Sequence, residues 1–166
     1  MALAGDLLSL AKFLVNPHPD LPERASLRRA VSTAYYSLFH LLIDEAAGQF
    51  FDVPEKLRAI VQRAFNHSDM RKLCEEMARP VPKNSLGNVL AEPINAKLRN
   101  VAKTFVELQD SRHLADYDVS EPFDAIRARL LLDRAEEAFS DWEDEKDSTN
   151  AKVFLAALLL NRHWKR

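Results

Sequence analysis

Apolar positions along this chain recur at spacings of three and four rather than two, the repeat of helices that bury one side. Leu3, Leu7, Leu10, Ala11 and Leu14 predict a short first helix with one apolar side, ended by Pro17-His18-Pro19. Asp20-Leu21-Pro22-Glu23 then reads as a helix start, with Asp20 as the cap, Pro22 in the first turn and Glu23 complementing the dipole. The helix it opens runs to about Ala47, with Gly48 as its stop. Leu27, Val31, Ala34, Leu38 and Leu41 share one face of it, and Tyr35, Phe39 and Leu42 widen that face. Arg29, Thr33, Tyr36 and His40 form a separate stripe.

Pro54-Glu55 opens a third helix through Phe65, Asn66-His67-Ser68-Asp69 interrupts it, and Met70 to Ala78 makes a short fourth. Pro80, Pro82, Asn84 and Gly87 mark an irregular connection through about Pro93. Asn95 to about Ala115 is the next long helix, with Leu98, Val101, Phe105 and Leu108 on one face. Ser120-Glu121-Pro122 restarts the chain, with Ser120 as the cap and Pro122 in the first turn. That helix runs to about Lys146 and turns Phe123, Ile126, Leu130, Leu131, Ala138 and Trp142 inward. After Asp147-Ser148-Thr149-Asn150, a last amphipathic helix carries Val153, Phe154, Ala157, Leu158 and Trp164. No repeat, dividing linker or strand-like alternation interrupts this order. The expected architecture is one all-α domain over residues 1–166, an antiparallel up-and-down bundle of four to five main helices plus short extra ones.

Composition agrees with that reading. Only 3 of 166 residues are glycine, which tight hairpins would need in greater number, and 47% are hydrophobic, enough for a sizeable core. The formal net charge of -2 removes any global attraction to nucleic acid but leaves a local basic patch open. Cys74 is the single cysteine, so neither an intrachain disulfide nor a multi-cysteine zinc site can form. The first ten residues lack a leading positive charge and the layout of a signal peptide, and Val153 to Leu160 is too short to span a bilayer. A cytoplasmic protein without a membrane partner is expected. No phosphate-binding glycine loop, zinc-protease or nucleophile-elbow motif occurs, so no cofactor and no metal is expected.

The candidate chemistry centres on Arg112. Continuing the stripe Leu98, Val101, Phe105, Leu108 by its own spacing lands on Arg112 and then on Ala115 or Asp116, placing charge where the pattern predicts core. A buried guanidinium needs a partner, and Asp116 is four residues on, within reach on the same face. Tyr117 follows at the helix end, where a turn could aim its hydroxyl back. Two readings stand side by side: a structural ion pair that ties helix ends, or a ligand or catalytic site. Tyr35 and Tyr36 are either amphipathic packing or a base-stacking surface. His40 is either a satisfied half-buried histidine or a site residue, and His67 either caps the helix containing Met70 or belongs to a site.

Three segments, in order, resemble the HEPN family of bacterial helical proteins. They are Arg28-Arg29-Ala30-Val31-Ser32-Thr33-Ala34-Tyr35-Tyr36-Ser37-Leu38-Phe39-His40, Phe65-Asn66-His67-Ser68-Asp69-Met70, and Arg112-His113-Leu114-Ala115-Asp116-Tyr117-Asp118. The likeness spans roughly Leu21 to Leu160. It implies a helical bundle that commonly dimerises, with many members acting as RNases or as toxin halves of toxin–antitoxin pairs. Active members carry an arginine and a histidine separated by four to six residues. Arg112 matches that arginine and His113 the polar residue often found next, but Tyr117, Asp118 and Val119 stand where the histidine would fall. An ordinary tyrosine, with a pKa of about 10, is a poor general base near neutrality. His113 points about 100° away from Arg112 around the helix.

Three functions follow. The first is a nucleotide- or RNA-binding module, a homodimer and the toxin-like half of a defence pair with a cognate antitoxin-like protein, binding through Arg29, Tyr36, His40 and Asp116 beside Arg112. The second is a metal-independent RNase in which Arg112 stabilises phosphate charge while Tyr117, His113 or His40 moves protons. The third is a non-catalytic helical module that docks a protein partner.

Overall fold

Seven helices follow one another in the computed structural model, which describes residues 2–49, 54–82, 85–91 and 93–160. They are α1 (Ala2–Val15), α2 (Glu23–Gly48), α3 (Glu55–Arg63), α4 (His67–Met77), α5 (Ala96–Tyr117), α6 (Ala125–Glu145) and α7 (Thr149–Leu160). A 3-10 turn at Ser85–Asn88 lies between α4 and α5. No strand occurs among the described residues, and none of their helices is long and apolar enough to cross a membrane. Trp164, expected in the last helix, lies outside the described residues.

The three longest helices make the antiparallel frame. Arg28 and Arg29 near the start of α2 meet Ala115 and Asp116 near the end of α5, while Tyr35 in mid-α2 packs on Phe105 in mid-α5. Asn100 of α5 meets Asp141 of α6, and Glu107 meets Arg134, so that pair also runs antiparallel. One apolar cluster joins α1, α2 and α4 to α7, centred on Tyr35, Phe105, Trp142 and Phe154, all fully buried. Burying aromatic side chains of this size is the largest apolar gain available to a domain of this length.

The predicted stripe of α5 is realised: Leu98, Val101, Phe105 and Leu108 are all fully buried. Elsewhere the expectations need correction. The first helix packs through small residues, Ala4, Ala11 and Val15, while Leu3 and Leu10 face outward. Small side chains let α1 lie close against α2; of the expected face, Ala11 is buried and Leu14 packs on the core, while Leu3 and Leu10 are left at the surface. In α6 the buried positions are Ala128, Leu131, Leu132, Ala135, Ala138 and Trp142, whereas Ile126 is 80% exposed and Leu130 also faces solvent. Phe123 is buried but precedes the helix.

The helix starts also differ from expectation. Pro22 occupies the cap position of α2 without a side-chain cap, and Asp20 lies in the preceding turn, its N–H donating to His18 Nδ1 at 3.3 Å. The cap of α6 is Asp124, which accepts from the Arg127 N–H at 2.7 Å. Ser120 instead folds onto the Asp118 carboxylate, donating from its N–H at 2.9 Å and from its hydroxyl at 2.5 Å. The cause of that delay is Arg28. Its guanidinium donates to the carbonyls of Ala115 (2.9 Å), Leu114 (3.3 Å), Glu121 (2.8 Å) and Asp118, and it lies 5.5 Å from the Phe123 ring centre. Arg24 adds a donation to Val119 O at 2.6 Å. The carbonyls at the end of a helix have no partner within it. Here arginines supply one and hold residues 118–123 in an irregular wrap until α6 begins.

Candidate functional site

Arg29 and Tyr36 of the α2 stripe meet the last turns of α5, whereas His40 of the same stripe does not. Arg112 is 18% exposed and Asp116 14%, so both lie largely below the surface, on the continuation of the α5 core stripe. Arg112 Nη2 donates to the Tyr36 hydroxyl at 2.9 Å. Its Nε lies 2.9 Å from Asp116 Oδ2, but the N–H does not point along that line, so the contact is an ion pair without an aligned hydrogen bond. The guanidinium carbon is 5.4 Å from the ring centres of both Tyr36 and Tyr117, which flank it.

Asp116 is shared. Ser32, buried one turn before Tyr36 on α2, donates to its Oδ2 at 3.3 Å, and Arg29 Nη1 reaches its Oδ1 at 3.4 Å. The cluster therefore holds two guanidinium groups and one carboxylate, a balance of one positive charge. Arg29 is largely exposed, and a long exposed contact of this kind adds little to stability. Arg112 Nη1 has no partner among the described residues and is not enclosed by protein.

Tyr117 is the last residue of α5 and is 64% exposed; its ring centre lies 5.4 Å from the Arg112 guanidinium carbon, and its hydroxyl has no hydrogen bond among the described residues. His113 is exposed and packs on Tyr117 with ring centres 5.1 Å apart. The structure thus brings Arg29, Tyr36, Arg112, Asp116 and Tyr117 together, with His113 at the outer edge. His40 is separate. It lines a cleft of about 600 Å³ with Phe39, Ile43, Asp44, Gln62 and Arg63, and makes no hydrogen bond to Arg112 or Asp116. Burial pushes its imidazole below the ordinary value, against the pull of Asp44.

His67 is the site residue that spacing alone did not single out. It opens α4 but does not cap it; Asn66 does, accepting from the Asp69 N–H at 2.8 Å and donating to its carboxylate at 2.5 Å. That frees the imidazole to turn onto α2, where it packs against Phe39 with ring centres 4.4 Å apart and 6.0 Å from the Tyr36 ring. Its Nδ1 lies 2.6 Å from the hydroxyl of Tyr35, which is fully buried. Burial holds the Tyr35 phenol well above its ordinary range, so it stays protonated. Burial, then the Arg112 charge and then His40, hold His67 below the ordinary histidine value, so it is neutral at pH 7. Ser32 was legible in principle, three residues after Arg29 and four before Tyr36 on one face; the Tyr35–His67 contact joins positions 32 apart and left no spacing signal.

Comparison of the chain with family models, with curated proteins and with solved structures returns no match. The site is therefore interpreted from its own chemistry.

Proposed function

We propose that this chain is a HEPN-like module that binds the phosphate and base of a nucleotide or of single-stranded RNA at the Arg112 cluster. One observation carries the reading: two guanidinium groups share a single carboxylate beside two partly accessible tyrosine rings. An uncompensated positive charge draws phosphate, and a tyrosine face receives a base with little regard to sequence. Asp116 holds Arg112 in place without cancelling Arg29. Tyr117 stands where the resemblance calls for histidine, and a tyrosine is ordinarily a poor general base near neutrality, which favours binding over cleavage. The dimeric state and the antitoxin-like partner implied by the resemblance belong to the same proposal.

Fluorescence anisotropy with labelled single-stranded RNA and with a labelled adenine nucleotide tests it. The parent protein is expected to bind, with affinity falling as salt rises, and to leave the RNA intact on a denaturing gel. Arg112→Ala is expected to abolish binding while its urea transition stays cooperative. Absence of binding by the parent protein overturns the reading. A stability loss of several kcal/mol in Arg112→Ala, with no ligand to lose, would assign the cluster a purely structural role.

A further inference from the structure

Two polar atoms beside the Tyr36 ring have no partner among the described residues and are not enclosed by protein. Arg112 Nη1 is one. The other is His67 Nε2, since the imidazole's only side-chain hydrogen bond is at Nδ1, and Nε2 is not enclosed by protein. Both donors belong to side chains beside Tyr36, whose ring is 5.4 Å from the guanidinium carbon and 6.0 Å from the imidazole. The proton on His67 can be placed by hydrogen-bond logic. A buried hydroxyl must donate to an acceptor, and His67 Nδ1 is the hydrogen-bond partner that Tyr35 has. Were Nδ1 protonated, the Tyr35 hydrogen would be buried without an acceptor. Nδ1 therefore accepts, and the ring proton sits on Nε2.

We infer that His67 Nε2–H and Arg112 Nη1 form a two-donor seat for the non-bridging oxygens of one phosphate group, beside the Tyr36 ring, with Tyr35 as the positioning residue that fixes the imidazole. The inference rests on the proposed nucleotide or RNA binding and adds to it a donor from α4 and a chemical target. A neutral histidine is the fitting second donor beside an arginine, because it offers a directed N–H without adding a second full charge. The phosphate can be a terminal monoester or an internal diester, which share those oxygens.

The test has two parts. In the parent protein, long-range nitrogen–proton NMR is expected to show His67 with Nδ1 unprotonated, and Tyr35→Phe to yield a mixture of tautomers. A native His67 protonated on Nδ1 overturns the inference whatever the variants do. Binding is then measured with adenosine monophosphate and with a single-stranded RNA lacking terminal phosphates; tighter binding of the first assigns a monoester, of the second a diester. His67→Asn keeps an acceptor for Tyr35 but has no donor at the Nε2 position, and is expected to weaken the preferred probe about tenfold. His67→Gln places an amide near the Nε2 position and is expected to stay within about threefold of the parent. Unchanged binding by His67→Asn, in a parent protein that binds, overturns the seat and leaves the binding reading standing. A parent protein that binds neither probe overturns both.

Discussion

The Arg28 side chain closes the end of α5 by donating from Nε to the Ala115 carbonyl at 2.9 Å, across 87 positions of sequence. Three further carbonyls, of Leu114, Asp118 and Glu121, accept from the same guanidinium. Arg28→Ala removes all four donations, though the Leu114 carbonyl keeps the Asp118 N–H, and is expected to cost on the order of 2–3 kcal/mol. Arg28→Lys is expected to recover less than half of that, because an ammonium cannot fork across several carbonyls. Urea denaturation of the three proteins measures it. Equal stability of Arg28→Lys and the parent would show that charge alone holds the turn.

Close packing of α1 makes its small residues the sensitive ones. Ala11→Leu inserts a large side chain at a fully buried position and is expected to destabilise by about 1–3 kcal/mol. Leu10→Ala, one position away but exposed, is expected to change stability by no more than about 0.5 kcal/mol. Thermal melts of both variants read the contrast, and a larger effect at Leu10 would contradict the assigned face.

Acid should weaken the fold through two histidines. His67 and His40 are both held below the ordinary value of 6.5, chiefly by burial. As pH falls through that value the unfolded chain takes up protons that the native chain still refuses. Their contribution to stability is therefore complete above about pH 6.5 and declines below it. Denaturation midpoints between about pH 7.5 and about pH 5.5 should drop for the parent, and less steeply for His40→Gln/His67→Gln. An identical slope in the double variant would show that other groups carry the dependence.

Cys74 is fully enclosed, and burial first, then Glu75, pushes its thiol far above the ordinary value. The thiolate is the reactive form, so alkylation of the native protein by iodoacetamide should be slow and should accelerate sharply in urea. Mass spectrometry of timed samples checks this, and rapid native modification would place Cys74 at the surface.

Asn66 caps α4 and thereby sets where His67 begins its turn onto α2. Asn66→Ala is expected to cost about 0.5–2 kcal/mol, while Asn66→Ser should lie close to the parent. Chemical denaturation separates them.

Periodicity made the frame of the molecule legible because it reports which side of a helix is apolar, and α2 and α5 each have one dominant partner face. It also exposed Arg112, a charge in register with Leu98, Val101, Phe105 and Leu108, and its neighbour Asp116. On α1 it placed Ala11 and Leu14 rightly but erred on Leu3 and Leu10, and on α6 it erred on Ile126 and Leu130, because hydropathy ranks leucine and isoleucine above alanine, whereas close helix contact selects the small residue. The helix starts at Asp20 and Ser120 were misplaced because the competing partners, His18 for one and the Arg28 wrap for the other, are tertiary. His67 reads from the sequence as a cap or a site residue, but its partner stays hidden for a related reason: what fixes its imidazole is a hydroxyl on another helix, and neither residue's neighbours in sequence announce it.

The chain between α4 and α5 divides the site's contributors into two sets. Arg29, Ser32, Tyr35, Tyr36 and His67 precede it, and Arg112, Asp116 and Tyr117 follow it. No stretch of local helix formation on either side creates the cluster. The proposed site is complete only once α5's last turns and the start of α4 have both docked onto α2, so the binding expected of it would gauge that docking separately from the helix content that circular dichroism records.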